Sequence, residues 1–160
     1  MVFIEQILDL DCSQEELYYL KMEALWILTI FSSHAQDDEM KLVFSSGFSL
    51  PAELEDPTSP KDSDLSLNLT QGFYQSNSTI LEKIDRLIQS LITNRCKDVK
   101  MLNMVLNFVG NCIQDPSPEI AQKVLEETSL ISILDLFFEN RRNIELTTLD
   151  YSCWIVYNIV

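Results

Sequence analysis

Tryptophan and asparagine residues spaced one helical turn apart are the side chains of this sequence best suited to binding chemistry. Trp154 and Asn158 are four residues apart, as are Asn107 and Asn111, so each pair projects from one face of a helix. An indole face attracts a cation, and an amide both donates and accepts hydrogen bonds. Because a buried amide needs a hydrogen bond, each asparagine either faces a groove or caps neighbouring backbone, and the four-residue spacing favours a groove. Trp26 and Trp154 fit a core position as well as a binding position.

Metal, phosphate and catalytic sites lack the residues that they require. The four cysteines contain no CxxC pair, and His34 is the one histidine of the chain, so no structural zinc site is expected. Three glycines provide no phosphate-binding loop, and no nucleophile motif accompanies the carboxylates. We therefore expect a protein that is not an enzyme and that has no cofactor.

The charge of the chain argues against two classes of partner. Acidic residues outnumber basic ones by 25 to 11, a formal net charge of −14, yet 46% of the residues are apolar, enough for a folded core. Arg141 and Arg142 form the one adjacent basic pair, so nothing offsets the repulsion of nucleic acid and anionic membranes. The chain starts without the basic segment of a secretory signal, and its longest apolar run, 24–31, is too short for a membrane span. We expect an intracellular protein of the cytoplasm, the nucleus or both.

Apolar residues recur at helical spacing along most of the chain, and three glycines argue against an all-β fold. The pattern predicts an all-α protein. The segments 17–33, 99–113 and 145–160 are apolar on nearly every side, which is typical of helices buried between neighbours. Ser13 and Glu16 have the spacing of a capping box before the first of these segments. The predicted helices are 2–10, 17–33, 36–44, 80–92, 99–113, 119–127, 130–138 and 145–160.

The predicted helices repeat in the order short, medium and long. Aligning the three long helices places Trp26, Asn107 and Trp154 at one position, 81 and 47 residues apart. Without the Ser-, Pro- and Asp-rich segment 45–79 the first interval is about 46 residues, so both intervals fit the roughly 40–47-residue period of armadillo and HEAT repeats. We therefore expect an armadillo repeat part in 1–44, a loop insertion in 45–79 and two further repeat units in 80–160.

Three segments resemble the third helix of armadillo repeats of the importin-α (karyopherin-α) type. That helix carries a Glu-Ala-Leu-Trp-Ala-Leu run followed by Asn, and this chain has Glu-Ala-Leu-Trp-Ile-Leu at 23–28. The segments 105–111 (Val-Leu-Asn-Phe-Val-Gly-Asn) and 154–158 (Trp-Ile-Val-Tyr-Asn) occupy the same place in the next two repeats. The resemblance implies an armadillo-type α-solenoid, a right-handed superhelix of about three incomplete repeats.

In importin-α, Trp and Asn one turn apart on each third helix line a concave groove that holds an extended, Lys/Arg-rich peptide. Trp154 and Asn158 match both positions of this pattern. Ile30 stands in the Asn position of the first repeat, and Asn107 stands in the Trp position of the second. The resemblance implies a peptide-binding groove lined by Trp26, Asn107, Asn111, Asp115, Trp154 and Asn158.

Two functions fit these features. The first is a protein-binding module that holds an extended peptide, including a basic one like a nuclear localisation signal, or a partner protein, as adaptors of nuclear import do. The second is a structural or scaffold subunit of a large assembly. The chain starts at a second helix and ends within an apolar helix. Since solenoid ends without polar caps expose core, the second hypothesis expects other subunits to cover both ends.

Overall fold

The computed structural model describes residues 2–10, 14–44, 78–114, 117–139 and 144–160, and all regular secondary structure within these ranges is helical. The predicted all-α class is therefore confirmed. The predicted loop 45–79, apart from its last two residues, lies outside the described residues, and so does Asp115. The helices are α1 (Val2–Leu8), α2 (Glu15–His34), α3 (Asp37–Phe44), α4 (Ile80–Thr93), α5 (Val99–Gln114), α6 (Pro118–Glu127), α7 (Leu130–Glu139) and α8 (Leu146–Ile159).

Each predicted helix is present, and its ends differ from the prediction by at most two residues. Ser13, the first residue of the predicted capping box, lies outside the described residues; α2 begins after Gln14, whose side chain makes no capping hydrogen bond. The complete capping box lies at the start of α4. There Thr79 Oγ1 accepts a hydrogen bond from the Glu82 backbone N–H at 3.1 Å, and the Glu82 carboxylate accepts one from the Thr79 N–H at 3.0 Å.

The three long helices α2, α5 and α8 lie side by side, with α5 between the other two. At the N-terminal ends of α2 and α5, the Tyr18 hydroxyl donates a hydrogen bond to Asp98 Oδ1 at 3.1 Å. Near their C-terminal ends, Asn111 Nδ2 donates to the Thr29 carbonyl oxygen at 3.1 Å. Because both contacts join like ends, α2 and α5 run in the same direction.

On its other side, α5 packs against α8, which also runs in the same direction. Thr148 Oγ1, in the first turn of α8, donates a hydrogen bond to Asn103 Oδ1, in the first half of α5, at 2.8 Å. Further along, the Trp154 ring covers Gly110 so closely that a Cβ on this glycine would lie 2.8 Å from ring atom Cε3. Because glycine has no side chain, the indole ring can approach the backbone of α5 at Gly110.

The helices α1, α4 and α7 form a second set, in which α4 contacts both of the others and each contacts one long helix. α3 packs against α4, and α6 packs against α4, α5 and α7. The apolar side chains of all eight helices join in one core. The middle of this core comes from α4 and α5, whose fully buried side chains include Ile80, Leu81, Ile84, Val105, Leu106 and Val109.

Charged side chains of α4 hold both neighbouring helices of the second set. Asp9, directly after α1, forms an ion pair with Lys83 and a second one with Arg86 at 2.8 Å. On the other side of α4, Asp85 Oδ1 accepts a hydrogen bond from the Ser129 backbone N–H, just before α7, at 2.6 Å. α4 therefore positions the end of α1 and the start of α7 by charge as well as by packing.

The prediction that the long helices are buried on all sides is wrong for α2 and α8. On α2, Trp26 is 52% exposed and Ile27 is 47% exposed, and on α8 Tyr157 is 82% exposed. These helices thus place one apolar face in the core and leave another in contact with solvent. Even so, no helix in the described ranges is both long enough and apolar enough to cross a membrane.

The ion pair between Asp9 and Lys83 predicts that replacing Asp9 lowers the stability more than replacing Lys83. The Lys83 side chain is fully buried and that of Asp9 is 38% exposed. Asp9→Ala removes a carboxylate from a buried ammonium and should lower the free energy of unfolding by about 3 kcal/mol. Lys83→Met removes the charge at similar volume and should change it by about 1 kcal/mol or less. Urea denaturation followed by circular dichroism measures both.

Arg86→Ala is the matched control for these variants. It removes an ion pair with the same aspartate, but its side chain is 56% exposed, and such pairs contribute about 1 kcal/mol or less. If Asp9→Ala and Arg86→Ala lower the stability equally, the buried charge of Lys83 does not determine the effect.

Candidate protein-binding face

The solvent-facing sides of α2, α5 and α8 form one surface, which we call the three-helix face. On each helix, exposed and half-buried residues recur at intervals of three, four and seven, so they share one side of the helix. The opposite sides of these helices carry the buried residues. The three-helix face consists of Tyr19, Glu23, Trp26 and Ile30 on α2, Lys100, Met104, Asn107 and Asn111 on α5, and Asp150, Trp154 and Tyr157 on α8.

α2 contributes a row of large apolar side chains to the three-helix face. Tyr19 is 60% exposed, Trp26 is 52% exposed and Ile30 is 41% exposed. Their spacing of seven and four residues aligns them along one side of the helix. Exposed Glu23 lies in the same row, between Tyr19 and Trp26. Adjacent exposed apolar side chains edged by charge are typical of surfaces that bind another protein.

α5 contributes a row of asparagines, which differ in their contacts. Asn111 Nδ2 donates hydrogen bonds to the Thr29 carbonyl oxygen at 3.1 Å and to Ser32 Oγ at 3.2 Å, and so joins α5 to α2. The side chain of Asn107, half-buried one turn earlier, has no hydrogen bond with any described residue. Asn107 is therefore the amide of this row that is left for an external partner.

The sequence interpretation missed Asn103, a third member of this row. Its Oδ1 accepts the hydrogen bond from Thr148, a residue only 1% exposed, and so joins α5 to α8. The signal was present in the sequence, because Asn103, Asn107 and Asn111 follow one another at four-residue spacing. The two outer asparagines of the row thus bind the two neighbouring helices, and the middle one binds neither.

On α8, the Trp154 and Asn158 side chains are engaged within the protein. The Trp154 ring is half-buried against Gly110, and its centroid lies 6.4 Å from that of the Tyr151 ring. Asn158 Nδ2 donates a hydrogen bond to the Trp154 carbonyl oxygen, in the same helix, at 2.9 Å. Of the two alternatives for the asparagines, Asn111 and Asn158 thus cap backbone.

The structure gathers four of the six predicted groove residues on the three-helix face, namely Trp26, Asn107, Asn111 and Trp154. Asn158 lies one turn beyond Trp154, with its amide bonded to its own helix. The sixth, Asp115, lies outside the described residues. The apolar part of the face comes from α2 and its polar part from α5.

In the described part of the chain, no three His, Cys, Asp or Glu side chains are grouped so that they could hold a metal ion. Among the described residues, Cys96, Cys112 and Cys153 are not part of a disulfide bond. Cys96 is half-buried, Cys112 is buried and Cys153 is exposed on α8.

No family model, no curated protein and no solved structure matches this chain. The likeness to armadillo repeats therefore depends on the sequence segments 23–28, 105–111 and 154–158.

The different contacts of Asn107 and Asn111 predict different responses to the same substitution. Asn111→Asp replaces an N–H donor with a carboxylate that faces the Thr29 carbonyl oxygen, and it should lower the free energy of unfolding by about 2 kcal/mol. Asn107→Asp breaks no hydrogen bond and should change it by about 0.5 kcal/mol or less. Urea denaturation of both variants tests this, and equal losses would refute the role of Asn111 as a link between helices.

The contact between Trp154 and Gly110 predicts that the effect of Gly110→Ala on stability changes sign when the Trp154 ring is removed. Alanine is favoured over glycine in a helix by about 1 kcal/mol, but the Cβ of Gly110→Ala would lie 2.9 Å from ring atom Cη2 of Trp154. The displaced ring should make Gly110→Ala destabilising by about 1–2 kcal/mol. In the Trp154→Ala background the same substitution should stabilise. A double-mutant cycle by urea denaturation measures the coupling, and additive effects would disprove the contact.

Proposed function

We propose that this protein is a non-enzymatic protein-binding module and that the three-helix face is its binding surface. The observation that carries the proposal is the row of exposed apolar side chains on α2. Trp26 and Ile30 leave 52% and 41% of their surface in solvent, on the helix that packs beside α5, which carries Asn107. Tryptophan is among the residues that contribute most to binding energy in protein interfaces.

The packing of the helices supports an armadillo-like arrangement for this module. In that arrangement α2, α5 and α8 are the third helices of successive repeats, α1, α4 and α7 are the second helices, and α3 and α6 are first helices. The parallel order of α2, α5 and α8 and the contacts of α4 with α1 and α7 are what such stacking requires. The three-helix face is then the groove side of a short α-solenoid.

The charges of the face favour a partner that is basic as well as apolar. Glu23 and Asp150 are exposed on it, with Lys100 as its basic residue, and the whole chain carries a formal net charge of −14. Such a field speeds the approach of basic segments and repels acidic ones. We propose an extended segment with Lys or Arg beside large apolar residues, whose backbone binds the amide of Asn107.

The contacts that supply the affinity in this proposal differ from those of an importin-α groove. Asn111 Nδ2 donates two hydrogen bonds within the protein and Asn158 Nδ2 donates one, so these N–H groups do not bind a peptide backbone while those contacts persist. Trp154 is half-buried against α5. Apolar contact with α2 therefore supplies most of the affinity, and a basic sequence alone is a weak ligand.

A scaffold role is the second candidate, and the exposure of α8 favours it. Leu146 is 70% exposed and Tyr157, which also belongs to the three-helix face, is 82% exposed, and together with exposed Cys153 they follow one side of the helix. Another subunit that packs on this side would cover them. Sedimentation of the purified protein tests the alternative, since a monomer that stays soluble at high concentration would argue against it.

Fluorescence anisotropy with a labelled peptide that alternates Lys or Arg with Leu or Trp tests the binding surface. We expect binding that weakens as salt is added, because the charges are exposed. Ile30→Ser should weaken it by about tenfold, and Trp26→Ala by at least as much. A peptide with Glu in place of each Lys or Arg should not bind.

Ile131→Ser is the matched control, because Ile131 on α7 is 47% exposed but does not belong to the three-helix face. It should leave the affinity unchanged. Equal losses for Ile30→Ser and Ile131→Ser, or no binding of the basic apolar peptide at low salt, would overturn the proposal.

A further inference from the structure

A cavity of about 500 Å³ opens where the turn between α4 and α5 meets the ends of α7 and α8. This volume lies within the roughly 300–1,000 Å³ range of small-molecule sites. The cavity shares no residue with the three-helix face. Its walls are mainly apolar and come from four helices and two connections, with Ile92, Cys96, Val99, Leu102, Leu136, Phe137 and Ile144 as the apolar lining residues.

Two side chains of opposite charge lie among the lining residues. Arg95 precedes α5 and Glu145 precedes α8, and both residues are exposed. Neither side chain forms an ion pair or hydrogen bond with a described residue, so the two charges are not paired with each other. The cavity thus offers an apolar interior together with a cation and an anion that have no partner among the described residues.

Backbone hydrogen bonds fix the turn that carries Arg95. Arg95 and Cys96 have φ angles of 55° and 53°, in the left-handed region that glycine favours. The Cys96 N–H donates to the Leu91 carbonyl oxygen at 2.7 Å, and the Arg95 N–H donates to the Ile92 carbonyl oxygen at 2.9 Å. These bonds keep two side chains of the turn, a guanidinium and a thiol, at the cavity.

We propose that this cavity binds a free α-amino acid with a large apolar side chain. The side chain occupies the apolar interior, the carboxylate binds the Arg95 guanidinium, and the ammonium group binds the Glu145 carboxylate. A ligand with a carboxylate alone would bring a like charge to Glu145, and a ligand with an amine alone would bring one to Arg95. A zwitterion with neighbouring charges satisfies both residues, and guanidinium matches carboxylate in a bidentate geometry.

L-phenylalanine is the probe, and saturation-transfer NMR on the full chain measures its binding. N-acetyl-L-phenylalanine lacks the ammonium group and L-phenylalaninamide lacks the carboxylate, so each should bind about tenfold more weakly than L-phenylalanine. Arg95→Gln should weaken L-phenylalanine but not L-phenylalaninamide. Glu145→Gln should weaken L-phenylalanine but not N-acetyl-L-phenylalanine. Both substituted residues are exposed, so both variants should fold.

The alkylation rate of Cys96 is an independent measure of whether the ligand occupies the cavity. Alkylation by iodoacetamide, followed by mass spectrometry, should slow at Cys96 when L-phenylalanine is added. It should not slow at Cys153, which is exposed and does not line the cavity. Burial raises the pKa of the Cys96 thiol, which lowers its thiolate fraction, so the reaction is best followed at about pH 8.5.

The proposal fails if L-phenylalanine gives no saturation transfer and no protection of Cys96. It also fails if both derivatives bind as well as L-phenylalanine, since the two charges would then play no part. Val99→Phe narrows the cavity and should abolish protection without affecting peptide binding to the three-helix face. The two sites are thus tested separately, and failure of one leaves the other standing.

Discussion

The burial of α5 is the constraint on which the rest of the structure depends. Val105, Leu106, Phe108, Val109 and Cys112 are each at most 1% exposed, so neighbouring helices have to cover α5 on every side but one. α2 and α8 cover its flanks, and α4 and α6 cover the side towards the core. The remaining side carries asparagines, which tolerate partial exposure and also bond to the flanking helices. The location of the proposed binding face follows from this arrangement, since it is the side of α5 that no helix of the described ranges covers.

The flanking helices α2 and α8 have α5 on one side only, and this leaves another of their sides exposed. α2 contacts α5 through Thr29 and Ser32, and its next face, with Trp26 and Ile30, meets no other helix in the described ranges. α8 is in the same position with Tyr157. An apolar helix at the side of a stack thus presents the kind of side chain that a partner binds, while the helix in the middle presents polar ones. The proposed partner is correspondingly apolar along α2 and polar along α5.

Helix periodicity predicted all eight helices, because apolar residues at three- and four-residue spacing define them whatever they pack against. The burial of α2 could not be predicted in the same way. A segment that is apolar all round is compatible with a second covering helix or with none, and only the tertiary packing decides between them. The roles of Asn107, Asn111 and Asn158 could not be predicted from the sequence for a similar reason. The spacing shows on which face of a helix an amide lies, but not which group it bonds to. The Thr79 capping box and Asn103 were present in the sequence as patterns and were overlooked.

The parallel order of α2, α5 and α8 also bears on how the chain folds as it is synthesised. Antiparallel helices meet their neighbours soon after a short turn, but the contacts of α2 with α5 join residues 82 and 79 positions apart. At roughly 5–20 residues per second, the ribosome needs about 4–16 s to make that length of chain. During this time α2, whose Leu25 and Leu28 are fully buried in the finished fold, lacks the helix that packs beside it. For α2, protection by a chaperone during synthesis would therefore matter more than for α8, whose partner helix α5 is made before it.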